Sequence, residues 1–564
     1  MKVVIIGGVA GGATAAARLR RLNETAEIII LERGGYISYA NCGLPYYIGG
    51  EITEKSALTL QTPLSFRARF NIDVRVKNEA VKILPDEKKV VIRRLDDGTV
   101  YEENYDKLIL SPGAKPVIPP LPGVDNERIF TLRTVEDTFR LHDFIENEQP
   151  KSAVVIGGGF IGLEMAENLS RLGLSVTIAE RLPQVMTPLD RDMASMVHGY
   201  LKNKCIALRL GASVTGFEET EQGVSVRFED GEPIEAGLVL MAAGVAPETT
   251  LAKEAGLTLG MRGSIVVNEQ MQTSAPDIYA VGDAVEVRNF VTGEPALIPL
   301  AGPANKQGRI VADHICGKES RFTGSQGSSI LKLFDMTVAT TGLNETAAKN
   351  AGILYDKVVT FSPNHATYYP GASNMTVKTL FNSNDGKILG AQIVGFEGVD
   401  KRIDVLATAI RAGMYAADLE ELELAYAPPF SSAKDPVNMA GYVIGNIMDG
   451  TVKQYHWHDL KDLPDDGSVI KLDVRTDVEY NAGHMENTIH IPVDVLREHL
   501  SKLDRSKPVY VNCQSGLRSY IACRILSQNG FDCYNFSGGY RFYALVKEEG
   551  LFDEAPAHPC GIKL

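Results

Sequence analysis

One tryptophan stands in 564 residues, and no histidine occurs in the first hundred. Cysteine is sparse: seven, widely scattered, with no Cys-x-x-Cys pair. That pattern excludes a disulfide scaffold and a zinc ribbon. It suits a reducing cytoplasm, where thiols are kept for packing or chemistry. No apolar run approaches the roughly 18 residues needed to span a bilayer. The opening Met1-Lys-Val-Val-Ile-Ile-Gly-Gly reads as a buried strand rather than a signal peptide. Basic residues are outnumbered 57 to 71, for a net charge of −14. This argues against general nucleic-acid binding and does not exclude an anionic ligand held by a local basic pocket. What the chain does have is 53 glycines and an ordinary 44% hydrophobic fraction, so long disorder is not expected. At roughly 100–200 residues per domain, the length suggests about three to five domains.

An apolar strand pattern at Val3–Ile6 leads into helical spacing over Ala13–Leu22 and a strand at Glu27–Leu31. The unit recurs at Ala153–Ile156, Leu163–Leu172 and Ser175–Glu180. This predicts an internal duplication of a nucleotide-binding βαβ. In the second copy, Gly157-Gly-Gly159-Phe-Ile-Gly162 sits between strand and helix. Gly157 permits the tight turn, Gly159 lets a pyrophosphate approach the backbone, and Gly162 lets helix and strand pack closely. The helix N-terminus favours the phosphate charge. Glu180 ends the next strand, where a carboxylate bonds a ribose 2′-OH and repels a 2′-phosphate; NADH is therefore expected over NADPH. The first copy reads Gly7-Gly8-Val9-Ala10-Gly11-Gly12, with Val9 where the second glycine is usual and Glu32 ending the next strand. Further on, Thr273-Ser-Ala-Pro-Asp-Ile-Tyr-Ala-Val-Gly282-Asp283 is a short strand ending in Gly-Asp.

On these motifs, residues 1 to about 447 resemble the flavoprotein pyridine nucleotide–disulfide oxidoreductases. The resemblance implies that the first βαβ holds FAD, that Asp283 binds the ribityl chain, and that the FAD domain is discontinuous around an NAD-binding insert. It implies that Phe160 covers the flavin until nicotinamide displaces it, with Ile161 beside it and Glu164 near the nicotinamide. Arg33, Ser111, Gly113, Gly244, Pro299, Leu300 and Ala301 are expected at the cofactors as well.

Ser38-Tyr-Ala-Asn41-Cys42-Gly-Leu-Pro45 follows the first βαβ. Many relatives carry a CxxxxC redox pair here; this chain has Cys42 alone, with Tyr47 five residues on. A lone thiol must find its sulfur partner outside the protein. SxxNCG resembles the single-cysteine branch of coenzyme A-disulfide reductases, NADH oxidases and NADH peroxidases, which makes Cys42 the nucleophile, competent as thiolate. The oxidases and peroxidases resemble Gly-x-x-His-Gly-Gly at the first turn. Ala10 fills that histidine's place here, which disfavours oxygen or peroxide chemistry. Arg18 and Arg21 share a helical face, with Arg20 nearby, as in the coenzyme A-disulfide reductases. Asn364-His-Ala-Thr-Tyr368-Tyr-Pro-Gly and Ala425-Tyr426-Ala-Pro-Pro-Phe-Ser-Ser-Ala-Lys434-Asp resemble that subfamily's C-terminal domain. The resemblance implies that Tyr368 and Tyr426 reach the partner subunit's cysteine as proton donors or stabilisers of a leaving thiolate. Tyr369 reads as packing. CoA contacts are expected from Thr14, Arg18, Arg21, Ser38, Asn41, Cys42, Asn305 and Lys434, and no metal is expected.

Leu472-Asp-Val-Arg475 through Pro492, with Val509-Tyr-Val-Asn-Cys513-Gln-Ser-Gly-Leu-Arg518, resembles a rhodanese domain. Four residues separate Cys513 from Arg518, one fewer than in cysteine phosphatases, which suits sulfur rather than phosphate. Loop N–H groups and the following helix N-terminus stabilise a thiolate or the outer sulfur of a persulfide, and Arg518 adds charge. Cys205, Cys316, Cys523 and Cys533 read as packing residues; Cys560 is a weak candidate for resolving a persulfide.

The expected architecture is α/β. An FAD-binding domain spans 1–119 and 247–326, an NAD-binding domain 120–246, and an α+β dimerisation domain 327–447. A linker (448–464), a rhodanese domain (465–550) and a tail (551–564) follow. The expected enzyme is a homodimeric flavoprotein with active sites shared between subunits, reducing CoA disulfide, CoA persulfide or polysulfide through a Cys42–S–S–CoA mixed disulfide. Cys513 is expected to handle sulfane sulfur. Two alternatives stand beside it: an NADH oxidase or peroxidase, and a sulfurtransferase in which the flavin part is a scaffold.

Overall fold

The computed structural model describes residues 1–553, so Cys560 and most of the expected tail lie outside the described residues. The chain divides into two compact units, Met1–Met186 with Leu201–Gly327, and Thr187–Tyr200 with Ser328–Leu564.

Two five-stranded parallel sheets organise the first unit. One orders its strands Ile278–Ala280, Lys107–Leu110, Lys2–Ile6, Glu27–Glu32 and Asp73–Val76. The other runs Ala207–Leu210, Ser175–Glu180, Ser152–Ile156, Leu238–Met241 and Ile129–Phe130. In each, the strand before the glycine turn is central and pairs with its sequence neighbour on one side and a much later strand on the other. The order therefore reverses there, which opens a crevice at the strand ends. Buried on both faces, Val3–Ile5 and Ala153–Val155 are 0–1% exposed, hence their unbroken apolar runs. The duplication extends further, since each sheet has its own three-stranded antiparallel ribbon, Asn78–Asn104 and Val214–Ala236. The strand Ile278–Ala280 returns to the first sheet after the insert, as a discontinuous domain requires.

The second unit holds an antiparallel sheet ordered Ser329–Leu333, Met336–Gly342, Ile388–Gly395, Asn374–Asn382 and Tyr355–Pro363. It also holds a parallel sheet ordered Lys453–Tyr455, Cys533–Phe536, Val509–Asn512, Ile470–Asp473 and Ile489–His490. The expected linker over 448–464 is therefore corrected. Lys453–Tyr455 is an edge strand of the C-terminal sheet, and Trp457–Asp462 is a 3-10 turn with His458 and Asp459 buried. Its polar residues are spent on contacts with Tyr355–Pro363. Gln454 Nε2 donates to Asp356 Oδ2 at 2.7 Å and to Lys357 O at 2.9 Å. His456 Nε2 lies 2.9 Å from Asp356 Oδ1, and His458 Nε2 lies 3.0 Å from Lys357 Nζ. Polarity that looks solvated in sequence here fills a buried, hydrogen-bonded interface.

Beside that interface Lys378, fully buried, is ringed by Asp190, Asp192 and Glu345 at 3.0, 2.7 and 2.5 Å. Three carboxylates so close resemble a cation site, but the ammonium already holds the centre. The exposed Cys205 is a second correction: it lies in the turn after Arg191–Asn203 at φ +60° rather than packed in a core. Among the described residues, no helix is long and apolar enough to cross a membrane.

Candidate functional site

At the second glycine turn Gly157 has φ +111°, and a Cβ there would sit 2.2 Å from Ala242 O. A Cβ at Gly162 would lie 2.0 Å from Gly157 O. The helix thus starts hard against the turn, as close helix–strand packing demands. Gly159 differs: no protein atom lies within 4 Å of its would-be Cβ. That cradle fits a pyrophosphate lying on bare backbone at the helix start. Glu180 accepts from Gly158 N at 2.7 Å and Leu182 N at 2.8 Å. Glu32 repeats this at the first turn, accepting from Gly8 N at 3.0 Å and Gly34 N at 2.8 Å. Both carboxylates are thus held beside their turns by backbone N–H groups. Val9 caps the first helix in extended backbone, so the missing glycine costs no strain. Gly12 N donates to Ser111 Oγ at 3.1 Å, and Gly282 N to Gln307 Oε1 at 2.7 Å.

Arg133, which sequence reasoning missed, belongs to this site. Its Nε donates to Ala114 O at 2.9 Å, its NH2 lies 4.0 Å from Asp283 Oδ2, and its buried NH1 has no hydrogen-bond partner. A buried guanidinium nitrogen left open beside the Gly-Asp aspartate fits an anionic cofactor such as FAD. Only tertiary packing brings residue 133 to residue 283, so no local motif signals it.

Cys42 lies in the short turn Asn41–Gly43, at the surface. Burial of its surroundings nevertheless pushes the thiol up, the negative charges of Glu164 and Asp283 push the same way, and Arg133 opposes them. Burial and the two carboxylates thus act against the expected thiolate, and Arg133 acts for it. Burial also raises Glu164, to about 7, against a hydrogen bond donated by Tyr46 Oη at 3.4 Å. Tyr47, in the place of a second redox cysteine, is buried.

The expected CoA residues are only partly basic in effect. Thr14 Oγ1 donates to Asn305 Oδ1 at 2.6 Å, and Arg18 pairs with Asp313 at 2.8 Å. These contacts join the helices Ala10–Leu22 and Ala301–Ile315, which meet so closely that a Cβ at Gly308 would lie 2.4 Å from Gly11 O. Arg20 is turned inward, donating to the carbonyls of Phe70, Glu24 and Asn71. Arg21 and Asn41 are exposed.

In the second unit Tyr368 and Tyr426 share a 2.8 Å hydroxyl–hydroxyl hydrogen bond, at 73% and 47% exposure. Tyr369 packs edge-on against His365, and Lys434 is exposed. Cys513, fully buried, directly follows the strand Val509–Asn512; Gly516 N–H and Ser519 O–H donate to its sulfur at 3.1 and 3.2 Å. Tyr540 N and Arg541 N brace the loop through the carbonyls of Cys513 and Gln514, at 2.7 and 3.1 Å. Arg518, expected to add charge at the sulfur, feels the charge of Cys513 and also grips Glu479 with both terminal nitrogens at 2.7 and 2.6 Å. That grip pushes Glu479 down to about 2. Cys523 and Cys533 are buried, with Cys533 Sγ donating to Cys523 O at 3.3 Å.

Paired dinucleotide turns, a lone thiol and a second sulfur cradle define a class. Residues 1–308 match the pyridine nucleotide-disulphide oxidoreductases, 328–436 that family's dimerisation domain, and 456–544 a rhodanese-like domain. The chain belongs to the pyridine nucleotide-disulphide oxidoreductase family and carries a C-terminal rhodanese-like domain.

More particularly, the fold is similar to the reduced CoADR-RHD of Bacillus anthracis, with 49% identity, TM-score 0.95, and coverage of 97% of this chain and 98% of that one. It is also similar to an NAD-dependent persulfide reductase from A. fulgidus, with 39% identity, TM-score 0.90, and coverage of 96% and 100%. In sequence it is 36% identical to the coenzyme A disulfide reductase of Staphylococcus haemolyticus, over 78% of this chain and 98% of the relative. It is 38% identical to an NADH oxidase of Methanocaldococcus jannaschii, over 78% and 98%.

Proposed function

We propose that this protein is an FAD-dependent, NADH-using homodimeric reductase of CoA disulfide, CoA persulfide or polysulfide, coupled to sulfane-sulfur handling at Cys513. One observation carries the reading. Cys42 is a surface thiol in the unit that holds both dinucleotide turns, and the buried Tyr47 leaves it no disulfide mate in its own turn. Its partner sulfur therefore comes from a substrate. Bound FAD would supply the two-electron link between NADH and that sulfur. Overall, NADH, one proton and Cys42–S–S–CoA give NAD⁺, the Cys42 thiol and CoA–SH. With CoA persulfide as substrate, the product released is hydrogen sulfide.

The chain's residues divide the work. Glu32 and Glu180 take the ribose hydroxyls, the open backbone at Gly159 takes the NADH pyrophosphate, and Arg133 with Asp283 faces FAD. Thr14, Asn305 and exposed Arg21 offer contacts to CoA, with Arg18 bracing the two helices they stand on against each other. Tyr368 and Tyr426, sharing one hydrogen bond at the surface, are poised as a proton-donating pair for the partner subunit's leaving thiolate. The Gly516 amide and the Ser519 hydroxyl would cradle a persulfide on Cys513, and the free cysteines among the described residues suit a reducing cytoplasm.

An oxygen-reducing activity, the one named for the archaeal relative, is the second reading; Ala10 in place of an imidazole base at the first turn weighs against it. The test is direct. Purified protein should carry a CoA adduct on the Cys42 peptide by denaturing mass spectrometry. Cys42→Ser should lower NADH-dependent turnover of CoA persulfide by on the order of 10³-fold while retaining flavin. Unchanged turnover in that variant, or rapid NADH oxidation by oxygen indifferent to CoA species, refutes the proposal.

A further inference from the structure

The turn that carries Cys42 runs on in helical backbone into Leu44–Ile48. Tyr46 therefore stands one turn beyond the thiol and on the same face. This helix abuts Phe160–Arg171 without slack. A Cβ on Gly49 would lie 1.9 Å from Asn168 Oδ1. Asn168 Nδ2 donates to Glu164 O at 2.7 Å. Arg171 pairs with Glu51 across the contact and, at 2.8 Å, with Glu167 on its own helix. The abutment brings Tyr46 Oη to Glu164 Oε1, with Glu164 near enough to act electrostatically on Cys42.

The geometry points to Cys42 and Glu164 as a pair that carries a single negative charge, with Tyr46 as the positioning residue that holds the carboxyl. The proton balance is simple: Cys42–SH and Glu164–COO⁻ become Cys42–S⁻ and Glu164–COOH. When the thiolate attacks CoA–S–S–R, the S–S bond breaks, Cys42–S–S–CoA forms, and RS⁻ leaves. The proton held by Glu164 then converts RS⁻ to RSH and restores the carboxylate. No oxidant or reductant is needed for this exchange.

Other charges face the pair. Asp283 adds to the negative field at Cys42 and Arg133 subtracts from it. Tyr46 and Glu167 face Glu164. Burial holds the Glu164 carboxyl at about 7, where it can take or give a proton near neutrality.

The inference rests on Cys42 as the nucleophile, which the CoA adduct and Cys42→Ser test separately; the following measurement reads only the charge felt by the thiol. NADH-reduced, CoA-free holoenzyme is alkylated with iodoacetamide across pH 5–10, about the range of thiol titration. Labelling is quantified on the Cys42 peptide. Glu164→Gln removes the competing charge, so the midpoint should move to lower pH and the labelling rate at neutral pH should rise by roughly tenfold. Tyr46→Phe removes a hydrogen bond that favours the carboxylate, so it should shift the midpoint the same way by less. It should add nothing in a Glu164→Gln background. An unmoved profile in Glu164→Gln overturns the pairing, and a full Tyr46→Phe shift in the double variant overturns the positioning role. Should Glu164→Gln fail to hold flavin, Tyr46→Phe decides alone, and an unmoved profile again overturns the inference.

Discussion

Both proposed thiols are single, but their surroundings differ. Cys42 sits open at the surface among negative charges, whereas Cys513 is sealed and receives two hydrogen bonds at its sulfur. The first suits exchange with a bulky external disulfide; the second suits holding a small sulfur atom. Cys513→Ala should abolish sulfane-sulfur transfer to cyanide while leaving NADH-dependent reduction of CoA disulfide within about twofold, since changes at separate sites act independently. Equal loss of both activities in a steady-state assay would contradict this division. The thiols and the glycine turns were legible in sequence because each belongs to a short contiguous motif, and Glu32 and Glu180 because each ends the next strand. Arg133 and Tyr46 were not, because their roles come from residues more than 100 positions away. The ion pairs of Arg18 with Asp313 and of Arg518 with Glu479, 295 and 39 positions apart, were hidden because no local motif contains both partners.

At the scale of elements, the two βαβ units are near copies in backbone and unequal in detail. Gly159 leaves open space where Val9 stands in the first turn. Gly159→Ala should therefore raise the KM for NADH by on the order of tenfold, with FAD content and thermal midpoint held, because the added methyl meets only ligand. Loss of flavin in that variant would show that the second turn also supports the first site. The same substitution at Gly162 strikes Gly157 O and should unfold the element instead. Periodicity located these strands and helices well, since buried parallel strands are plain apolar runs. It failed at 448–464, where a strand and its flanking turn are built from glutamine, histidine and aspartate that pack by hydrogen bonding.

For the molecule as a whole, the second unit combines the dimerisation sheet and the rhodanese-like sheet into one compact body. Burial, then the neighbouring Lys357 ammonium, hold His458 down at about 4. It stays neutral, takes a hydrogen bond from Lys357 and gives one to Asp459 at 2.9 Å. Its folded pKa lies below the unfolded 6.5, so the unfolded chain gains a proton first as pH falls. Stability should drop between about pH 6.5 and 4, by up to about 3 kcal/mol from this group. Trp457, whose indole donates to Asp192 at 3.1 Å, is the chain's one tryptophan and reports on this joint. Its fluorescence midpoint in urea should fall over that pH range, and His458→Gln should flatten the fall. An equally steep fall in the variant would assign the acid sensitivity elsewhere.

That joint also changes how the protein can be cut. A fragment begun after residue 464 would lack Lys453–Tyr455 and leave the strand Cys533–Phe536 as a bare sheet margin, an invitation to intermolecular pairing. A reductase ended at 447 would expose Asp356 and Lys357 without the histidines that answer them. The sulfur-handling module is thus less a passenger joined by a tether than a graft whose first strand is already rooted in its host.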